Sequence, residues 1–249
     1  MVVMQSKILF VERRDDIEKY FDFVKFIIDD KPAFSFRNKL TGVDEEKKID
    51  IEMTHILKAN MFILLYNLIE ATAANAIEDI HSQLSKNPDL CVDQLCEKIT
   101  KMALKRIDSN VVGNMNFAND EVAKLVLRAW LNEHDKLVKE NKNPLFSGNV
   151  DARVIREVAD EYGFSSVTNA TRTRNGGNLV KIKKARNSLA HGSESFLNKG
   201  QETSIDALKE LKDEVFNYLE EILENIQQYL DGQLYLRPPI IQPNQQLAV

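Results

Sequence analysis

One segment of this sequence, KKARNSLAHGSESF at residues 183–196, combines side chains that can do phosphate chemistry. Arg186 is followed five positions later by His191, and Gly192 comes directly after the histidine. An arginine can hold a phosphate through two parallel hydrogen bonds, and a histidine can gain or lose a proton near neutral pH. The segment therefore predicts either an ordinary helix end or a site that handles phosphate.

The spacing between arginine and histidine does not by itself indicate a site, because the chain contains a second pair. Arg128 and His134 lie at a similar separation, within RAWLNEHDKLVKE, a stretch that mixes acidic and basic residues. This mixture is typical of an exposed helix. We interpret the second pair as structural and use it as an internal control.

The position of Arg186 on its predicted helix distinguishes the first pair. At 100° per residue, Arg186 falls within the apolar face of the helix. That face is formed by Leu179, Ile182, Ala185 and Leu189. A charge on a packed face needs a partner or a ligand, because burying it alone is costly. Gly192 is a natural left-handed helix stop, so we expect the His191 imidazole at an accessible helix end.

Glu70 is the expected partner of Arg186. It is the only charged residue between Met61 and Ile77, in a helix that is apolar nearly all round and therefore buried on most sides. A lone carboxylate in such a place also needs a partner. Arg153 and Arg156 are the competing partners, and the contact with Arg186 could be structural or could direct the guanidinium at a substrate.

The charge of the chain is unevenly distributed. Residues 171–191 carry +6 with no acidic residue, so the rest of the chain carries −11 and the total is −5. A carboxylate-free basic segment on an acidic body suits contact with a phosphate backbone. The residues predicted to bind phosphate or RNA there are Lys183, Lys184, Arg172 and Arg174. The alternative is a solvated basic face with no ligand.

The composition is that of an ordinary soluble protein, with 43% hydrophobic and 29% charged residues. No purely apolar run approaches the ~20 residues of a membrane span, and the N-terminus lacks a secretory pattern. Cys91 and Cys96 have no further cysteine or close histidine to complete a metal set, so we interpret them as buried free thiols. These features predict a cytoplasmic protein without a metal, a cofactor or a membrane contact.

Helical periodicity dominates the chain and predicts an all-α fold, a single helical bundle with long central helices and a short proline-containing C-terminal tail. The predicted helices span about residues 15–30, 51–84, 90–108, 120–141, 151–162, 178–192 and 204–230. Residues 37–48 form a polar connector, NVVGNMNF at 110–117 and residues 164–178 are expected to be loops, and no segment shows the alternation of a strand. We divide the chain into an N-terminal helix and connector (1–50), a helical domain (51–232) and a tail outside the fold (233–249).

The motif and its flanks resemble the HEPN superfamily. ARNSLAHG near the end of an all-α domain, followed by one amphipathic helix, fits its pattern of arginine, a polar residue and then histidine. LLYNLIEATAANAIEDI (64–80) and SGNVDARVIREVADEYGF (147–164) are similar to the MAE-type HEPN-like lineage. The likeness covers about residues 50–235.

The resemblance implies a homodimer that brings two Arg–His pairs into one cleft. Many such proteins are metal-independent endoribonucleases of toxin–antitoxin, anti-phage or CRISPR-linked systems, and others have lost catalysis and bind nucleotides or partner proteins. Because this chain keeps both motif residues, we expect Arg186 and His191 to be catalytic and Asn187 and Glu70 to support them. RNA is then the expected substrate, and an antitoxin or an accessory NTPase remains an open alternative as a regulator.

Overall fold

The chain is an all-α bundle in this computed structural model, which describes residues 2–105, 120–140, 146 and 148–238. The helices are α1 (Gln5–Asp30), α2 (Ile51–Ser85), α3 (Glu97–Leu104), α4 (Asp120–Lys139), α5 (Ala152–Tyr162), α6 (Ala170–Thr173), α7 (Leu179–Ala190), α8 (Phe196–Glu202) and α9 (Ile205–Asp231). Short 3₁₀ turns, Val92–Gln94 and Arg174–Gly176, precede α3 and α7, and the strands β1 (Ala33–Arg37) and β2 (Asp44–Lys48) form an antiparallel hairpin.

Helix α2 is the centre of the bundle. Asp50 caps its N-terminus by accepting a hydrogen bond of 2.7 Å from the Met53 N–H, which satisfies one of the amides that a helix start leaves unpaired. Helices α1, α7, α8 and α9 all pack against it. Among the described residues, α2 is the one helix long and apolar enough to span a membrane by length and composition. Half of its most apolar window is buried inside the protein, so packing against these helices accounts for the composition.

The first helix begins ten residues earlier than the apolar periodicity predicts. Its start has no local side-chain cap. Instead, the Asp79 carboxylate of α2 accepts hydrogen bonds from the Gln5 N–H (3.0 Å) and the Ser6 N–H (2.9 Å). A cap supplied by a distant residue leaves no signal near the helix in the sequence, which explains the error.

The polar connector at residues 37–48 contains a strand, although the sequence shows no alternation there. β1 and β2 pair from Ala33↔Lys48 to Arg37↔Asp44, and all ten strand residues are exposed. The turn is closed by the Asn38 side chain, which accepts a hydrogen bond of 2.9 Å from the Leu40 N–H. The strands are short and β2 is wholly charged, so the pattern shows no alternation long enough to predict a strand.

The predicted helix 151–162 is confirmed with both of its ends. Asp151 accepts hydrogen bonds from the backbone N–H groups of Arg153 (2.9 Å) and Val154 (3.1 Å). Gly163 ends α5 in a left-handed conformation, with φ 88°, which glycine adopts without strain. The residues just before α5 are thereby fixed in place, and they matter for the site.

Residues 164–178 are not a structureless loop, and a helix was missed after α7. The segment contains α6, capped by Asn169, and the 3₁₀ turn before α7. Helix α8 starts at the Ser195 cap and packs tightly on α2. At Gly200 an added Cβ would lie 1.7 Å from the His55 carbonyl oxygen, so only glycine permits this approach.

The beginning of the expected tail belongs to the fold. Tyr235 is buried, and Leu236 forms a β-bridge with Leu95. The Arg237 N–H donates to the Gln94 carbonyl at 2.8 Å. The predicted helix at 90–108 begins only at Glu97, because the bridge holds Leu95 in an extended conformation after the 3₁₀ turn. The predicted loop at 110–117 and the tail beyond residue 238 lie outside the described residues.

Candidate active site

The guanidinium of Arg186 is held by groups from three parts of the fold. Its Nη2 atom lies 3.5 Å from a carboxylate oxygen of Glu70, and its Cζ atom lies 4.0 Å from the centre of the Tyr66 ring. Nη1 donates to the Gly148 carbonyl at 3.3 Å and to the Asn187 side-chain oxygen at 2.9 Å. The predicted contact between Glu70 and Arg186 is therefore present, although both side chains are about one quarter exposed rather than fully buried.

Arg186 keeps hydrogen-bond donors beyond these contacts. A guanidinium has five N–H groups. Nη1 uses both of its own, and Nη2 faces Glu70, while the Nε–H bonds to no other described residue. The competing partners of Glu70 are engaged elsewhere, because Arg153 pairs with Glu157 and Arg156 donates to the Asn175 carbonyl. The arginine is thus oriented by the fold and still able to receive an anion.

Residues 148–151, which we call the strap, connect the start of α5 to this site. The Gly148 carbonyl accepts from Arg186, and the Asn149 side chain accepts from the Asn187 amide at 3.0 Å. The Val150 N–H donates to the Tyr66 hydroxyl at 3.1 Å. The first two contacts fix the motif residues Arg186 and Asn187, and the third fixes Tyr66 on α2. The strap therefore determines the geometry of the site.

Asp151 completes the strap by forming an ion pair with Lys183 of α7. Burial raises the pKa of the Asp151 carboxyl, but the hydrogen bonds from Lys183 and from the Val154 and Arg153 amides outweigh it, and the pKa lies below its ordinary value. The carboxylate is therefore charged at neutral pH. Lys183, predicted to bind phosphate, has its ammonium occupied by this contact, and its side chain is only 17% exposed.

Tyr66 links the strap to the arginine. Burial raises the pKa of its hydroxyl, and the hydrogen bond from the Val150 N–H opposes this without reversing it. The hydroxyl is therefore protonated at neutral pH, and the ring presents its face to Arg186 as a neutral cation–π partner. Tyr66 lies one helical turn before Glu70, so the two side chains reach the arginine from one face of α2.

His191 lies at the C-terminal end of α7, as predicted. Gly192 has φ +69°, its N–H bonds to the Leu189 carbonyl, and the Ser193 N–H bonds to the Ser188 carbonyl. This pair of bonds is the Schellman arrangement that ends a helix at a glycine. The His191 side chain is exposed, and it forms no hydrogen bond or ion pair with any residue that the structure describes.

The sequence predicts that a phosphate can approach the basic segment without meeting a carboxylate, and in the folded chain this is wrong. Arg172 donates to Asn217 at 2.8 Å and lies 3.6 Å from Glu221, and Arg174 lies 3.7 Å from Glu210. These acids belong to α9, which packs beside the basic segment. Lys184 is exposed and has no ion-pair partner among the described residues. Local sequence cannot reveal which acids another helix brings close.

The second Arg–His pair is structural. Arg128 donates to the Ser85 and Asn87 carbonyls at the end of α2. His134 is buried, not exposed as its surroundings suggested; its Nε2 atom lies 2.6 Å from Glu78, and its ring stacks on His81 at 3.7 Å. The two residues serve separate packing contacts, so the pair remains a suitable control.

Sequence reasoning missed Tyr66, Gly148 and Asn149 as residues of this site. The helical spacing of Tyr66 and Glu70 could have suggested the first, because residues four apart share a face. No local pattern indicates the strap, which meets α7 only through the tertiary fold. Within the described ranges, no group of three or more His, Cys, Asp and Glu side chains is close enough to hold a metal ion.

Comparison with known families adds one finding. A family model described as HEPN_MAE_28990-like HEPN matches residues 8–235, which include α2, the strap and all of α7. No curated protein and no solved structure matches the chain.

Proposed function

Because this chain belongs to the HEPN_MAE_28990-like HEPN family, we propose that it is a metal-independent endoribonuclease. Its composite site is formed where two copies of the chain bring Arg186 and His191 together in a homodimer cleft. Membership itself indicates a nuclease-type, RNA-related function. The finer assignment is supported most by one observation, the orientation of the Arg186 guanidinium by Glu70, Tyr66 and the strap.

The residue types suit cleavage by the substrate's own nucleophile. The ribose 2′-oxygen attacks the adjacent phosphorus, and its proton passes to one imidazole. The bond from phosphorus to the 5′-oxygen breaks, and that oxygen takes a proton from a second imidazole. Arg186 stabilises the extra negative charge on the phosphoryl oxygens. The products are a 2′,3′-cyclic phosphate and a 5′-hydroxyl.

A homodimer accounts for how this chemistry can use the exposed histidine. Five helical positions place His191 about 140° around α7 from Arg186, and the histidine caps the helix end. A second copy that contacts this end supplies a second imidazole, so that one acts as base and the other as acid. A toxin–antitoxin or anti-phage defence role in the cytoplasm, with an antitoxin or accessory NTPase as regulator, fits such an enzyme.

Cleavage of RNA in the presence of EDTA tests the proposal. We expect the wild-type chain to cut a single-stranded RNA, and we expect His191→Ala and Arg186→Ala to abolish cutting while circular dichroism shows an intact fold. Arg128→Ala is the matched control, since it removes an arginine at a similar separation from a histidine. Cutting by His191→Ala at the wild-type rate would reject the proposal.

The second candidate function is a catalytically inactive helical module that binds a nucleotide or a partner protein. The observation that favours it is that Arg186, Lys183 and Arg172 each lie beside a carboxylate of the fold, Glu70, Asp151 and Glu221 respectively. It predicts saturable binding without cleavage. Toxicity on expression separates the two candidates, because a nuclease loses toxicity with Arg186→Ala or His191→Ala and a binding module does not.

A further inference from the structure

The face of α7 that points away from Arg186 lines a groove of about 490 Å³. Lys184 and Ser188 are each two positions from Arg186, which places them about 160° around the helix from it. Helices α8 and α9 form the other walls. The basic side chains that line the groove are Arg174, Lys181, Lys184 and Lys199.

The lining has a positive charge on a chain that is acidic overall. Four basic residues face two acidic ones, Glu202 and Glu210, so the lining carries +2 while the chain carries −5. Lys199 lies 3.5 Å from Glu194, and Arg174 lies 3.7 Å from Glu210. Lys181 and Lys184 are exposed and form no ion pair with any described residue. These two lysines are the cations available to a ligand.

The polar side chains are spread along the groove and do not converge on one point. Lys181, Lys184 and Ser188 follow one another on the same face of α7, over ~10 Å at 1.5 Å per residue. The apolar side chains of Ala185 on α7 and Leu211 on α9 also line the groove. Cations that follow one another beside apolar lining residues suit a chain of phosphates with attached bases better than a single phosphate.

Arg174, which lines the groove, is the first residue of the 3₁₀ turn before α7. Arg174 and the next residue, Asn175, both have left-handed backbones, with φ 45° and 52°, a conformation that costs energy for residues other than glycine. The Thr173 hydroxyl stabilises the turn by accepting from the Asn175 N–H at 3.1 Å. The turn therefore fixes the backbone that carries Arg174 in the lining of the groove.

We propose that this groove binds the phosphodiester backbone of single-stranded RNA, as a second contact outside the Arg186–His191 site. RNA as the ligand rests on the proposed function. Ser188 is three positions before His191, at the end of the groove nearest the histidine, so a strand that reaches His191 continues along the same helix. An acidic peptide bound in the groove would not be connected in this way to a ligand at His191.

Binding of a labelled single-stranded RNA, followed by fluorescence anisotropy, tests the groove. All variants carry His191→Ala so that binding is measured without cutting. For single strands, each lost phosphate contact reduces the salt slope of log K by about 0.7. Lys181→Gln with Lys184→Gln should therefore reduce the slope by about 1.4 and weaken binding about 25-fold at ~0.1 M salt, with little difference near ~1 M.

The matched control is Lys136→Gln with Lys139→Gln, which neutralises two exposed lysines at the same spacing on α4. Equal RNA affinity and salt slope in the two double variants would overturn the proposal. So would binding of free AMP as tightly as RNA, since this would indicate a pocket for a single nucleotide. RNA cleavage by chains that keep His191 is measured separately in EDTA. Absence of RNA binding in the groove therefore does not reject the nuclease proposal, and absence of cleavage does not reject RNA binding in the groove.

Discussion

Replacing Asp151 with asparagine isolates the charge that anchors the strap. Asparagine caps a helix as well as aspartate does, so the bonds to the Arg153 and Val154 amides are retained. What is lost is the charge of the ion pair with Lys183. The two side chains are only 8% and 17% exposed, so solvent screens the pair weakly. Exchanging a charge-assisted hydrogen bond for a neutral one should lower the free energy of unfolding by about 1 kcal/mol.

Asp151→Ala should cost more, roughly 3 kcal/mol, because it removes the cap (about 1 kcal/mol) and also leaves the Lys183 ammonium without an acceptor. Asp50→Asn is the matched control. Asp50 caps α2 through the Met53 N–H, is exposed, and forms no ion pair with a described residue, so its replacement should cost close to zero. Urea unfolding with linear extrapolation measures all three variants.

The pH dependence gives an independent check. The pKa of Asp151 in the folded protein lies below its ordinary value of 3.8. Its stabilising effect is therefore complete above that ordinary value and is lost as the pH falls through the lower folded-state pKa. The difference between wild type and Asp151→Asn should be present at about pH 6 and shrink at about pH 3. A variant as stable as wild type at the higher pH, or a difference unchanged at the lower one, would refute the reasoning.

Three further predictions concern packing and positioning. Gly200→Ala should prevent α8 from packing on α2, because its Cβ would lie 1.7 Å from the His55 carbonyl oxygen. The control Gly192→Ala meets no atom within 4 Å and should cost only about 1 kcal/mol of backbone strain. Thermal melting measures both variants, and equal melting temperatures would contradict the prediction. Glu70→Gln should slow RNA cleavage about tenfold through a misplaced Arg186 while its melting temperature stays close to that of wild type, since partly exposed pairs stabilise little; an unchanged cleavage rate would contradict a positioning role. Tyr66→Phe removes the acceptor of the Val150 N–H and should lower the free energy of unfolding by about 1–3 kcal/mol, measured by urea unfolding, and a neutral effect would show that the strap does not depend on this bond.

The parts of the site that lie within one helix could be predicted from the sequence. The apolar face of α7 places Arg186, and Gly192 places His191 at the helix end. The contact with Glu70 was also predictable, because two charges in otherwise apolar helices need partners. These inferences depend on local periodicity and on the cost of burying a charge, which a sequence displays directly.

The parts that depend on tertiary packing could not be predicted. Asp79 starts α1 from another helix, and Glu210 and Glu221 of α9 approach arginines that look free of carboxylates along the chain. The strap meets α7 through a connection of nearly 40 residues along the chain. In each case the interacting residue is far away in the sequence and comes close only when the chain folds. Residue spacing along the sequence therefore cannot predict the contact.

The central claim is tested most directly by the chemical nature of the RNA ends. An RNA incubated with the wild-type chain in EDTA and analysed by mass spectrometry should yield 2′,3′-cyclic phosphate and 5′-hydroxyl ends, and a substrate with 2′-deoxyribose at the cleavage site should remain intact. The same incubation with His191→Ala should yield no fragments. Fragments with 3′-hydroxyl and 5′-phosphate ends, or cutting that persists in His191→Ala, would contradict the assignment of Arg186 and His191 as the catalytic pair.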